Sequence, residues 1–138
     1  MKLDSSHVVY KQADVACSPP QLVLMLLDAA GRYTREAAMH LRARRWAEKG
    51  KAVEAALECL GQLRQGLDLT SGGDSAVAVD RMYDFLKTKL TMGNITRDAA
   101  QFDQVADAIQ SLRRSWQELF DRLRAEGKMV GYRAELAH

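Results

Sequence analysis

FDQVADAIQSLRRSWQELFDRL, residues Phe102 to Leu123, carries large apolar side chains at Phe102, Val105, Ile109, Leu112, Trp116, Leu119 and Leu123. The steps between them alternate between three and four residues, the interval that aligns side chains along one side of an α-helix. Gln, Asp, Arg and Ser fill most of the remaining positions. A helix with one such stripe leaves it in water unless other helices cover it, so this segment predicts a member of a helical bundle. Thr96 or Asp98 is expected to cap its start, after Gly93 and Asn94, and Gly127 to close it.

The rest of the chain supplies the partners. Asp74 to Met92 reads as a helix entered after Gly72 and Gly73, with Asp74 and Ser75 in capping positions. No Gly-Lys-Ser/Thr follows that glycine pair, which argues against a phosphate-binding loop. Val53, Leu57, Leu60, Leu63 and Leu67 keep helical spacing in a segment expected to follow a turn near Lys49 and Gly50. The first helix is expected to start at Ser18 as N-cap, with Pro19 at its first position and Gln21 completing a capping box. It is expected to run to about Arg45, which puts Arg42, Arg44 and Arg45 at the negative end of the helix dipole. The expected fold is therefore all-α, an antiparallel four-helix bundle in a single domain over residues 1–138. Residues 1–17 show no sustained periodicity and read as an extended N-terminal arm carrying Val8, Val9 and Tyr10; residues 128–138 read as a tail.

Composition narrows the function. With 138 residues, 47% apolar and 28% charged, the chain can bury a core and lies far from the disordered regime. The only prolines are Pro19 and Pro20, so nothing downstream of them breaks a helix in that way. A net charge of +2 does not support nucleic-acid binding, and Asp103, Asp107, Glu118 and Asp121 interrupt any stripe built on Arg113 and Arg114. Cys17 and Cys59 lack metal-ligand spacing and read as reduced thiols. Met1 to Gln12 has no apolar signal core, and Leu22 to Leu27 is far shorter than the ~20 residues of a membrane span. The expectation is a cytoplasmic protein with no membrane insertion.

Two segments are more apolar than a bundle interior requires. Leu22, Val23, Leu24, Met25, Leu26 and Leu27 are consecutive, so they point in every direction around a helix. Leu22, Met25, Leu26, Ala29 and Tyr33 share one face, and Val23, Leu27, Ala30, Ala38 and Leu41 a second. Downstream, Ala76, Val79, Tyr83, Leu86 and Leu90 form one line, and Ala78, Met82, Phe85 and Met92 another. Spacing alone leaves open which face is core. The surplus face fits a groove for a partner's amphipathic helices, with Met and aromatic side chains as an adaptable surface. The opposing reading is that the arm or a wide core covers it.

A metal-binding or phosphotransfer helical bundle is the alternative function. Its residues are missing: no Glu-x-x-His pair occurs, and Glu36 and His40 stand four apart without a second copy. No enzymatic activity, metal or cofactor is expected.

The order of landmarks resembles one family. These are Tyr10; Cys17-Ser18-Pro19 leading to Leu22 and Met25-Leu26-Leu27-Asp28; Leu67-Asp68 with Gly72-Gly73; Met82-Tyr83-Asp84-Phe85-Leu86 and Leu90; Asn94 and Asp98; and Leu112-Arg113 with Trp116. From Tyr10 to about Leu119 the chain is similar to the flagellin-specific export chaperones, the FliS family. Leu27 and Ala29 depart from it, since similar members carry an aromatic and a glycine there. The resemblance implies a bundle that wraps the disordered C-terminal segment of flagellin, prevents premature polymerisation and delivers it to the flagellar type III export gate. Flagellin and the export gate are the expected partners, and a weak homodimer is compatible with this reading. The residues expected at or beside the flagellin groove are Val9 and Tyr10 on the arm, Leu22 and Leu26 on the first helix, and Met82, Tyr83 and Phe85 on the third.

Overall fold

The computed structural model describes residues 19–70 and 72–127, which form four helices: α1 (Pro19–Arg42), α2 (Trp46–Gln65), α3 (Gly73–Thr96) and α4 (Ala99–Ala125). The arm with Val9 and Tyr10, the Ser18 cap and the tail lie outside the described residues.

Short connections turn each helix back along its predecessor. Side-chain links record the antiparallel sense: Arg42 at the end of α1 meets Asp103 near the start of α4, and Asp28 near the start of α1 meets Arg113 far along α4. Arg64 at the end of α2 likewise meets Asp80 early in α3. Helix α1 packs on α2 and α4, and α3 packs on the same two, so α1 and α3 stand diagonally across the bundle. The α1 backbone approaches its neighbours more closely than that of α3. Side-chain size explains this, because interhelical distance follows the residues at the contact. The buried line of α1 includes Ala30, Thr34, Ala37 and Ala38, whereas that of α3 carries Val79, Tyr83, Leu86 and Leu90.

The stripe on α4 is core throughout: Phe102, Val105, Ile109, Leu112, Trp116, Leu119 and Leu123 are all buried. Trp116 stacks on Phe120 at 5.4 Å between ring centroids and donates its Nε1–H to the Tyr83 hydroxyl at 3.2 Å. Thr34, also buried, donates its hydroxyl to the Ala30 carbonyl at 2.7 Å, which satisfies a polar group that burial would otherwise penalise.

Helix boundaries depart from expectation where glycine was read as punctuation. The first turn lies at residues 43–45, not at Lys49 and Gly50, which are inside α2. Arg44 makes the reversal in the left-handed region at φ 58°. Its amide donates to the Leu41 carbonyl and that of Arg45 to the His40 carbonyl, the paired bonds of a Schellman motif. Helix α3 runs past Gly93 and Asn94 to Thr96, and Arg97 turns the chain at φ 54°. Gly93 serves close approach instead of bending, since a Cβ there would lie 3.1 Å from Phe102 Cε1, which would have to give way. Asp98 caps α4 by accepting from the Ala100 amide at 3.1 Å. Neither Asp74 nor Ser75 caps α3, whose N-cap position is Gly72. Gly127 follows α4 at φ 73°, as a closing glycine should.

Candidate partner-docking surface

Which faces are core is now decided. On α1 the buried line is Val23, Leu27, Ala30, Ala38 and Leu41; on α3 it is Ala76, Val79, Tyr83, Leu86 and Leu90. The second face of each helix stays at least partly in water. Leu22, Leu26, Ala29 and Tyr33 are half-buried and Met25 is 53% exposed. Met82 is half-buried, Phe85 is 56% exposed and Met92 44%.

Ion pairs fix where these faces lie. Asp28, Arg35 and Arg42, at seven-residue steps along one side of α1, bridge to Arg113, Asp107 and Asp103 of α4 at 2.9, 3.1 and 2.6 Å. With helical residues advancing about 100° each, Leu22, Leu26, Ala29 and Tyr33 then fall on the opposite side of α1, toward α2. On α3, Asp80 and Asp84 face α2, where both accept from Arg64 at 2.9 Å. Lys89 faces α4, donating to Gln104 at 2.8 Å, and its ammonium lies 5.6 Å from the Phe85 ring centroid. Met82, seven residues before Lys89, shares that side.

The four seams therefore alternate. The α1/α4 and α2/α3 seams are laced by ion pairs, while the outer edges of α1/α2 and α3/α4 carry the surplus apolar side chains. The hydrogen bond from Arg64 holds the Asp80 carboxyl below the usual carboxylate range, and the bond from Arg42 does the same for Asp103. Exposed bridges of this kind contribute little stability each. Their effect is positional, since a ladder of opposite charges sets the register of antiparallel helices.

Leu22 and Leu26 thus belong together, as do Met82 and Phe85, but the two pairs lie on opposite sides of the bundle and share no single groove. Tyr83 is fully buried behind the α3 surface and bonded to Trp116. It can support a docking surface but not form one. A third depression of about 700 Å³, which helical spacing does not reveal, lies between α1 and α4, floored by Leu27, Gly31, Ala106 and Ile109 and edged by Met39, which is 51% exposed. Gly31 opens that floor, and a lone glycine within an apolar helix was the available signal.

The alternative chemistry finds no foothold. His40 accepts a hydrogen bond from Arg45 Nε at its Nδ1, 3.0 Å away. Among the described residues no group of three or more His, Cys, Asp or Glu side chains is arranged to hold a metal ion. Cys59 is a free, buried thiol, and burial pushes its pKa up, away from the reactive thiolate. No described helix is long and apolar enough to cross a membrane.

Residues 4–123 match the family described as Flagellar protein FliS. The chain is 27% identical over 115 residues to the flagellar secretion chaperone FliS of Salmonella typhimurium, covering 83% of this chain and 85% of that one. It is 28% identical over 115 residues to the flagellar secretion chaperone FliS of Vibrio cholerae, covering 80% and 85%. To the flagellar secretion chaperone FliSB of Pseudomonas aeruginosa it is 25% identical over 99 residues, covering 72% and 79%. A match that spans four helices, their connections and most of each relative is a match of whole folds, and the chain belongs to the FliS family of flagellar proteins.

Proposed function

We propose that the protein is a cytoplasmic, non-enzymatic chaperone that holds the C-terminal helical segment of flagellin on its two apolar seams. It prevents premature polymerisation of that segment and delivers it to the flagellar type III export gate. The observation that carries this reading is the pair of uncovered apolar faces on diagonal helices, with Phe85 56% exposed on one and Met25 53% on the other. Isolated exposed apolar residues are ordinary, but two aligned Met- and Phe-bearing faces of this kind favour a helical ligand.

The geometry suits a segment that wraps. Leu22 and Leu26 engage one stretch of flagellin on the α1/α2 side, and Met82 and Phe85 engage another on the α3/α4 side. Tyr83 stiffens the second surface from beneath. Val9 and Tyr10 on the arm are the remaining contacts, and Tyr10 docks against the bundle or against flagellin. Binding spread over separated patches lets a disordered segment order itself step by step, and it leaves affinity moderate enough for release at the gate.

The test is retention of the C-terminal segment of the host's flagellin by the immobilised chaperone, with Tyr10→Ala, Leu26→Ala and Phe85→Asp as comparisons. Wild type should retain the segment and each variant should lose part of it. If wild type retains nothing, the flagellin assignment fails. Equal retention by the Tyr10 variant removes only the arm from the contact set.

A further inference from the structure

Because the helices are antiparallel, the α1–α2 turn and the α3–α4 turn lie at the same end of the bundle. Both turns are made by arginine in the left-handed region, Arg44 at φ 58° and Arg97 at φ 54°. Glycine adopts that conformation freely, whereas other L-residues pay roughly 1 kcal/mol or more. Two arginines carrying that strain at one end of the bundle point to a use for their side chains.

Positive charge is also in excess at this end. Arg35, Arg42, Arg64 and Arg113 each have an aspartate partner along the bundle. Arg44, Arg45 and Arg97 have no acidic partner among the described residues: Arg45 bonds to the His40 imidazole, and Arg97 lies over the Trp46 ring at 4.4 Å. Lys49, buried just beneath, directs its ammonium to the Asn94 carbonyl at 3.5 Å and adds to the positive field. Among the acids at this end, Asp103 pairs with Arg42, Asp98 caps α4, and Glu48 stands in the first turn of α2, which still leaves the cations in excess. Among these cations stand Trp46, 44% exposed, and Ile95, which at 69% is the most exposed large apolar residue described.

We infer that this end of the bundle, from Arg44 to Trp46 together with Ile95 and Arg97, is a second docking surface that takes an acidic protein segment bearing an apolar anchor. Arg and Trp around a greasy centre is the composition of a protein-binding hot spot. A nucleic acid fits less well, because base stacking wants free aromatic faces and Arg97 already covers one face of Trp46. Ile95 would have no task there. The surface lies at the end of the bundle and is distinct from the apolar edges of the α1/α2 and α3/α4 seams, so it can be occupied while those seams hold their own ligand.

Trp46 reports on the site directly. The chain has two tryptophans, and Trp116 is fully buried, so acrylamide quenching of fluorescence reads Trp46. The probe is a short synthetic peptide of Glu and Asp with a central Phe, titrated at low and high salt. It should shield Trp46 from acrylamide, and binding should fall as salt rises. Arg44→Glu with Arg45→Glu, and separately Arg97→Asn, should each weaken binding by roughly tenfold or more. Asn tolerates the left-handed conformation, and unchanged circular dichroism with undiminished retention of the flagellin segment would separate lost docking from lost folding. Absence of shielding up to millimolar peptide overturns the inference, and so does equal binding by both variants. An equally charged single-stranded oligonucleotide that binds as tightly as the peptide also overturns it, by reducing the surface to a generic polyanion patch.

Discussion

Trp116 on α4 donates its indole N–H to the hydroxyl of Tyr83 on the facing helix α3, at 3.2 Å, with both side chains fully buried. The bond joins two helices whose backbones stand comparatively far apart, and it supplies the partner that a buried indole N–H needs. Tyr83→Phe keeps the ring but removes that acceptor. It should destabilise the protein by about 1–3 kcal/mol, read as a lower urea midpoint with an unchanged slope. A midpoint equal to wild type would mean the indole finds another acceptor.

Two glycines inside helices should respond oppositely to alanine. At Gly50 nothing lies within 4 Å of an added Cβ, so Gly50→Ala should gain about 0.4–1 kcal/mol from reduced unfolded-state entropy and better helix propensity. At Gly93 the new Cβ would stand 3.1 Å from Phe102 Cε1 and 3.2 Å from Gln101 Cβ. Overpacking costs typically about 1–3 kcal/mol and exceeds the propensity gain, so Gly93→Ala should lower the thermal midpoint while Gly50→Ala raises it. A rise at both positions would show that the α3–α4 contact can relax.

The left-handed arginines give a related contrast. Arg44→Gly removes backbone strain, and should stabilise by roughly 1 kcal/mol in thermal denaturation. Arg97→Gly relieves similar strain but loses the stack on Trp46, worth about 0.5–1 kcal/mol at an exposed site. It should gain less than Arg44→Gly, and a larger gain would mean the stack contributes nothing.

These positions show why helix existence was easier to read than helix ends. Periodicity on α4 is a sum over many residues, and no single local choice can erase it. A turn depends on one residue's φ, and the reading favoured Gly50 because glycine adopts positive φ without strain. Arg44 adopts it instead, since the paired Schellman bonds and the packing of α1 on α2 outweigh a cost near 1 kcal/mol. The site was legible to the same extent. Two surplus faces were visible in the spacing of Leu22 through Tyr33 and Ala78 through Met92, but their relative placement was not. That depends on the long-range pairs Asp28–Arg113 and Arg64–Asp80, whose partners stand 85 and 16 residues apart in sequence.

Acid should weaken the α2/α3 seam in a defined direction. The Asp80 carboxyl titrates below its ordinary value because Arg64 hydrogen-bonds its charged form. A depressed folded-state pKa contributes stability that is present above the unfolded value, near pH 4, and is lost as pH falls through the folded one. Asp103, held down by Arg42, acts in the same sense. Urea midpoints measured between pH 6 and 2 should fall below about pH 4, and Asp80→Asn with Asp103→Asn should flatten that decline. An equally steep decline in the double variant would assign acid sensitivity to other carboxylates.

Opposite placement of the two apolar faces leads to a test of wrapping that single-site loss cannot provide. Phe85 is 56% exposed, so Phe85→Asp should change stability by no more than about 0.5 kcal/mol. Leu26, half-buried against the core, calls for the milder Leu26→Ala. If one flagellin segment spans both seams, each variant should weaken binding by about tenfold, and the double variant by the product of the two factors, because the patches share no contacts. Fragments decide the matter further. Dividing the flagellin segment should yield one piece sensitive only to Leu26→Ala and another sensitive only to Phe85→Asp, each binding far more weakly than the intact segment because the linkage supplies effective concentration. A single short fragment that binds as tightly as the whole and responds to both substitutions would require the two faces to meet in one groove, which the diagonal arrangement of α1 and α3 forbids.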